Sequence, residues 1–318
     1  MSNIARILSQ LACLKQFKVY SKSETDIRGW VANQSYFIDY DIEPNCFKVR
    51  INDHSFFLAL ANDCDRMARA AFETITNIQS NPTFPKSSSW HFIQSYYSAF
   101  FSAHAILRVF GISCNQFDQE HMNKILEQVE LFDRANGVSR LEKGFYKLQF
   151  NDSTNEIEFK KLKDSHRDTW ACFLTLIKEL IQKIDQTTGL GDEKIKAINL
   201  LSEIKDGLTR SGGSSTGNWL SIIRNDVNYR HSHGLWFPFR RQNLGQYNKE
   251  NCCTDWLNDS INTFTLTGRK DIEAALILNT LIINLLKNLL WECNERFLNE
   301  NKIFKNGSLK MLEIIGAH

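Results

Sequence analysis

The chain has 318 residues, with 38 Lys and Arg against 36 Asp and Glu, for a formal net charge of +2. That balance excludes a basic coat over the whole surface but leaves room for a local phosphate site. With 42% hydrophobic and 23% charged residues, the composition is that of a folded globular protein and excludes disordered, collagenous and coiled-coil classes. Only 4 Pro and 15 Gly are present; all-β folds use many of both at turns, so long helices are expected.

Residues 1–15 read as an amphipathic helix through Ile4, Ile7, Leu8, Leu11 and Leu14. No Lys/Arg-rich start or long apolar run marks a secretory leader. From Phe17 to Phe57 the pattern becomes β-rich, in Trp30-Val31, Tyr36-Phe37-Ile38 and Cys46–Ile51, with Pro44 in the break between the last two. A small hairpin or meander is expected there. Helical spacing then dominates: Leu58–Ile78, Trp90–Phe110, Asp164–Ile184, Asp192–Leu208, Trp219 to about His231, and 271–300. The Trp90–Phe110 helix carries small residues between its apolar ones (Ser95, Ser98, Ala99, Ser102, Ala103), which suits close packing on several sides. Residues 118–130 and 138–149 give shorter helical patterns, although Tyr146–Phe150 and Glu156–Phe159 also suit a hairpin. Pro82–Ser89 and Ser211–Gly217 read as loops, and 234–269 as irregular and polar.

Ala274–Leu290 is the most apolar stretch, interrupted by Asn279, Asn284, Lys287 and Asn288. It is shorter than the roughly 20 apolar residues of a spanning helix, so a buried helix with a polar strip is expected. Eight cysteines are scattered without a CxxC pair, which suits reduced thiols in a cytoplasmic protein.

The densest polar chemistry lies from Asn218 to Gly234. On a helix at 100° per residue, Arg224, Asn228 and His231 fall at about 0°, +40° and −20°, one polar stripe. Arg grips a phosphate with two parallel N–H bonds and keeps its charge. His titrates near neutrality and can move a proton. Together they form a minimal kit for cleaving RNA without a metal: a base draws the 2′-OH proton, a cation stabilises the developing charge, and an acid protonates the leaving 5′-oxygen. His231-Ser232-His233 has the look of a metal pair, yet no carboxylate cluster beyond Asp226 accompanies it, so no metal or other cofactor is expected. His104 reads as a satisfied core histidine. Asp164-Ser165-His166-Arg167-Asp168 reads as a helix cap with solvated charges, the alternative being contact with an RNA backbone. Leu235–Arg241 is aromatic and then basic; Trp236 could stack a base while Arg240 and Arg241 hold a phosphate.

Arg224-Asn225 followed by His231 resembles the Rx4–6H motif of the HEPN superfamily. The upstream run Tyr96-Tyr97-Ser98-Ala99-Phe100-Phe101-Ser102-Ala103-His104-Ala105-Ile106-Leu107 is similar to a second recurrent helix of that family. The resemblance covers residues 58–231 plus the terminal helix. It implies a mainly α fold, an antiparallel helical bundle, here with a small β-rich N-terminal addition (1–57) ahead of the helical domain (58–318). The distance from Leu107 to Arg224 implies insertions at 112–160 or 186–215. The resemblance also implies a homodimer in which two motifs share a cleft, and a metal-independent ribonuclease of toxin–antitoxin or abortive-infection systems, with RNA and an antitoxin or defence protein as partners. Carried over by position, Arg224 and His231 are the catalytic pair and Asn225 orients the phosphate or the imidazole; Asn228, His233 and Arg230 support them. The family also holds non-catalytic binding modules, the alternative expectation.

Overall fold

The computed structural model describes residues 2–13, 24–38, 42–78, 87–135, 137–210, 216–236, 247, 249–258, 264–296 and 302–317. The chain is mainly helical with a small antiparallel sheet. In chain order its elements are α1 (Ser2–Leu11), α2 (Ile27–Ala32), β1 (Tyr36–Phe37), β2 (Cys46–Ile51), α3 (Ser55–Thr76), α4 (Ser88–Val109), β3 (Ile112–Phe117), α5 (Gln119–Leu131), β4 (Gly144–Asn151) and β5 (Glu156–Leu162). There follow α6 (Ser165–Gln186), α7 (Gly191–Leu208), α8 (Trp219–Arg230), α9 (Lys249–Thr254), α10 (Asp271–Arg296), α11 (Lys302–Asn306) and α12 (Ser308–Ile314).

The strands form one antiparallel sheet in the order β1-β2-β5-β4-β3. The β-rich part therefore does not stop at residue 57: β2 pairs with β5, placing Phe47 opposite Phe159, whose rings stack at 4.8 Å. Residues 138–149 do not form the short helix that their spacing suggests. Tyr146, Leu148 and Phe150 alternate inward along β4, the period of a strand, and ladders to β3 and β5 fix that choice. The Tyr146–Phe150 and Glu156–Phe159 hairpin is present. Trp30-Val31 is helical instead of extended, because the Asp26 carboxylate caps α2 by accepting from Gly29 N at 2.7 Å.

Two apolar cores result. One gathers Trp30, Phe47, Phe56, Phe57, Tyr146 and Phe159 between the sheet, α2, α5 and the start of α3. The larger lies among α1, α3, α4, α6, α7, α8 and α10. Its centre is α4, which packs against α3, α6, α8 and α10. The small buried residues Ser95, Ser98, Ala99, Ser102 and Ala103 let those neighbours approach. A buried polar bridge joins the cores: Arg108 donates to His104 O (2.9 Å) and Asn115 Oδ1 (3.1 Å), and Asn115 donates to Asp63 Oδ2 (3.3 Å).

Helix α10 is long and apolar enough to cross a membrane, but the most apolar stretch is 94% buried within the protein. Its polar strip fastens the preceding segment. Asn284 donates to Trp256 O (2.6 Å) and Asn258 O (3.1 Å), and Lys287 to Leu257 O (2.8 Å). These carbonyls satisfy polar groups that would otherwise be costly to bury. None of the eight cysteines forms a disulfide.

Candidate functional site

Helix α8 is held at its start by Gly217. Its φ of +66° lies in the left-handed region, and an added Cβ would come within 2.9 Å of Leu174 Cβ on α6. Trp219, Leu220, Ile223 and Val227 then bury one side of the helix against the core. Arg224 falls on the same buried side, at only 6% exposure. Its guanidinium carbon lies 5.2 Å from the Tyr96 ring centre and 5.8 Å from that of Tyr97, both on α4. Its Nε has no hydrogen-bond partner, and Arg224 forms no ion pair among the described residues. The two tyrosines supply cation–π attraction, worth about 2 kcal/mol each in a desolvated setting. They do not neutralise the charge.

Helix α8 ends at Arg230. His231 takes a left-handed conformation (φ 51°), and its backbone N–H donates to Asp226 O. His233 (φ 66°) is also left-handed, within the turn Ser232–Gly234. Both residues thus leave the helical path, so the expected stripe is kept by Arg224 and Asn228 and broken at His231. His is among the residues that tolerate this backbone region. Exposed His231 lies edge-on to Trp236, with ring centres 6.3 Å apart. Trp236 donates to Val227 O (2.7 Å) and meets the 57% exposed Trp90 at 5.4 Å. Asn225 is exposed, Asn228 half-buried, and Arg230 is paired to Asp226 at 2.8 Å on the surface. Arg240, Arg241 and residues 211–215 of the glycine-containing loop lie outside the described residues.

The imidazole that α4 and α8 share is His166, at the start of α6. The cap expected there is present: Asp164 accepts from Arg167 N (2.5 Å), and Asp168 accepts from Lys163 N (2.7 Å). His166 itself points into the aromatic cluster. Its ring stacks on Phe100 at 4.4 Å and lies 5.9 Å from Tyr96 and 6.0 Å from Tyr97. Its Nδ1 is 2.9 Å from the Tyr96 hydroxyl, which also receives the Trp170 indole N–H at 3.2 Å. Burial and the Arg224 charge lower its pKa to about 4, against a weaker pull from Asp164. Burial raises the Tyr96 phenol above its ordinary value, opposed by hydrogen bonding to Trp170 and by the Arg224 charge.

His104 is a core histidine, as expected: it is 5% exposed, meets Phe100 edge-on at 4.7 Å, and its Nδ1 lies 3.2 Å from Arg108 Nη1. Among the described residues no three His, Cys, Asp or Glu side chains gather as a ligand set. A cavity of about 710 Å³ lies elsewhere, lined by Gln10, Lys48, Asp152, Glu156, Glu158 and Lys183. It mixes both charge signs and holds none of the candidate catalytic or RNA-binding residues. No family model, curated protein or solved structure matches the chain.

The structure thus brings Arg224 to Tyr96 and Tyr97, the two ends of the family resemblance, and brings His231 to Trp236. His166 was not legible as part of the site, because its neighbours in sequence are charged and cap-forming. Only the packing of α6 on α4 brings it to Tyr96, Tyr97 and Phe100.

Proposed function

We propose that the chain is a metal-independent endoribonuclease of the HEPN type, acting on RNA in the cytoplasm as a toxin or antiviral, abortive-infection effector. The observation that carries this reading is Arg224: a guanidinium at 6% exposure with no carboxylate partner among the described residues, set on the Tyr96-Tyr97 face of α4. Burying an unpaired charge costs several kcal/mol. A phosphate brought to it supplies the missing counter-charge and two acceptors in the fork geometry that guanidinium favours.

In this mechanism His231 takes the proton of the 2′-OH. The 2′-oxygen attacks the adjacent phosphorus, and the bond from phosphorus to the 5′-oxygen breaks. Arg224 stabilises the charge that develops on the non-bridging oxygens. An imidazolium then protonates the leaving 5′-oxygen, giving one 2′,3′-cyclic phosphate end and one 5′-hydroxyl end. A homodimer places a second Arg224 and His231 across the cleft. Asn225 and Asn228 orient these groups, His233 and Arg230 support them, and Trp236 offers a face for a base. Arg240 and Arg241 add basic charge after it in sequence. An antitoxin or another defence protein is the expected partner.

A specific observation favours a second reading, in which the chain is a non-catalytic HEPN-like binding or regulatory module. His231 stands on a left-handed turn beyond the end of α8, with Trp236 against it. Separate Arg224→Ala and His231→Ala variants decide between the two. The enzyme reading expects both, folded, to lose RNA cleavage and growth inhibition on expression. The module reading expects no cleavage by the wild type, with partner binding retained.

A further inference from the structure

The polar groups around Arg224 have an arrangement that α8 alone does not explain. Trp170 Nε1 can only donate, so the Tyr96 oxygen accepts from it. The Tyr96 O–H can then donate to His166 Nδ1 at 2.9 Å, the arrangement in which the imidazole proton sits on Nε2. One imidazole N–H donor, oriented by Tyr96 and pinned by stacking on Phe100, therefore stands close enough to Arg224 to feel its charge. The groups facing His166 are Tyr96, Tyr97 and His104 from α4, Asp164 from its own helix cap, and Arg224 from α8. The only negative charge among them is Asp164, which is itself engaged in capping α6. His166 and Tyr97 are half-buried, so the edge of the cluster is open to solvent.

We propose that Arg224 and His166 together bind one phosphate oxyanion, with Tyr96 as the positioning residue that presents His166 Nε2–H to it. The recognised chemistry is a phosphate group, either a phosphodiester of a nucleic acid or free phosphate. The inference rests on the ribonuclease reading for the identity of that phosphate, and not for the existence of the site. A buried guanidinium and a half-buried imidazole N–H on one anion replace the missing carboxylate of Arg224. An anion bound there also offsets the Arg224 charge at the imidazole, the second cause after burial of its lowered pKa, so binding raises that pKa and favours proton uptake on His166 in mildly acidic solution.

Isothermal titration of the full chain tests this, with inorganic phosphate and, separately, with a single-stranded oligodeoxynucleotide. The latter carries phosphodiesters but no 2′-OH, so it cannot be cleaved by the route above. Titrations in buffers of different ionisation enthalpy at pH 6 read the linked proton. The wild type should bind at least one of the two ligands with proton uptake. His166→Phe, which keeps the ring stacked on Phe100, should weaken binding by about 10-fold or more and abolish the linked proton. Tyr96→Phe keeps the ring beneath Arg224 and should reduce the uptake with a smaller loss of affinity. In the wild type the His166 ring nitrogens should shift in 15N NMR on adding the ligand, a readout that needs no variant. Binding by the oligodeoxynucleotide marks a nucleic-acid site, and binding by inorganic phosphate alone marks a free-phosphate site. Absence of binding by either, or equal affinity and proton uptake in His166→Phe, overturns the proposal. Binding through His166 without RNA cleavage sinks the ribonuclease reading and leaves the site standing. RNA cleavage with binding indifferent to His166→Phe does the reverse.

Discussion

Two buried arginines in one fold make opposite predictions on substitution by Met, a residue of similar length and no charge. Arg108 is 0% exposed and lies 3.9 Å from Asp63, with hydrogen bonds to His104 O at 2.9 Å and Asn115 Oδ1 at 3.1 Å. Removing it leaves Asp63 buried with a weakened set of partners, although Arg66 still pairs with that carboxylate at 2.5 Å. Breaking such a buried network costs about 3–5 kcal/mol, and the residual Arg66 pair places Arg108→Met near the low end, at about 3 kcal/mol. Arg224 is buried almost as deeply but forms no ion pair among the described residues. Its desolvation costs several kcal/mol, against which two tyrosine rings return about 2 kcal/mol each. Arg224→Met should therefore be neutral or stabilising, by up to about 2 kcal/mol. Urea denaturation of both variants at pH 7 measures the two differences directly. A loss of more than about 1 kcal/mol for Arg224→Met would show that the residue is held for the fold, and the argument that it awaits an anion would fail.

Three further outcomes follow from the same geometry. Folded His166 titrates at about 4, whereas an unfolded histidine titrates near 6.5. Between those values the unfolded chain binds the extra proton, so stability falls as pH is lowered through the window. His104, whose pKa is lowered by its burial and by Arg108, acts with the same sign. Denaturation midpoints at pH 7, 5.5 and 4.5 should fall less steeply in His166→Phe than in the wild type, and an equal slope would refute the assignment. Gly217→Ala combines a left-handed backbone with a close approach to Leu174. It should lose about 1–3 kcal/mol and displace α8, seen as a lower thermal midpoint together with weaker ligand binding. Gly307→Ala would drive a Cβ into the Asp65 carboxylate, which accepts from Ser308 N at 2.7 Å and pairs with Arg69 at 2.9 Å. A loss of about 1–3 kcal/mol is expected, with ligand binding at α8 unchanged, and an unchanged midpoint would contradict the close packing of α12 on α3.

The long helices were legible because their apolar residues recur at helical spacing over twenty residues or more, as in α3, α4 and α6, whereas the short α9, which falls in the stretch 234–269 read as irregular, and α11 and α12 were not. Local pattern was weakest where long-range pairing decides. Residues 146–149 carry both a helical and an alternating reading, and only the ladders to β3 and β5 choose the strand. In the same way, Trp30-Val31 looks extended until the Asp26 cap is counted. At the site, Arg224 and Tyr96-Tyr97 were readable as two separate motifs, and their contact confirms only that they are neighbours. The helical wheel extended α8 one residue too far. The left-handed turn at His231 depends on backbone geometry that side-chain spacing does not encode. His166 was hidden because a sequence window sees its charged neighbours Asp164, Arg167 and Asp168, while its ring contacts come from α4 and the charge it feels from Arg224 of α8.

The central claim is that Arg224 marks a site for cleaving RNA. It is tested most directly by incubating the purified chain with total RNA in excess EDTA and analysing the product ends. The account predicts cleavage that persists in EDTA, leaves 2′,3′-cyclic phosphate and 5′-hydroxyl ends, and disappears in folded Arg224→Ala. Intact RNA with the wild-type chain, or cleavage undiminished in that variant, would contradict it.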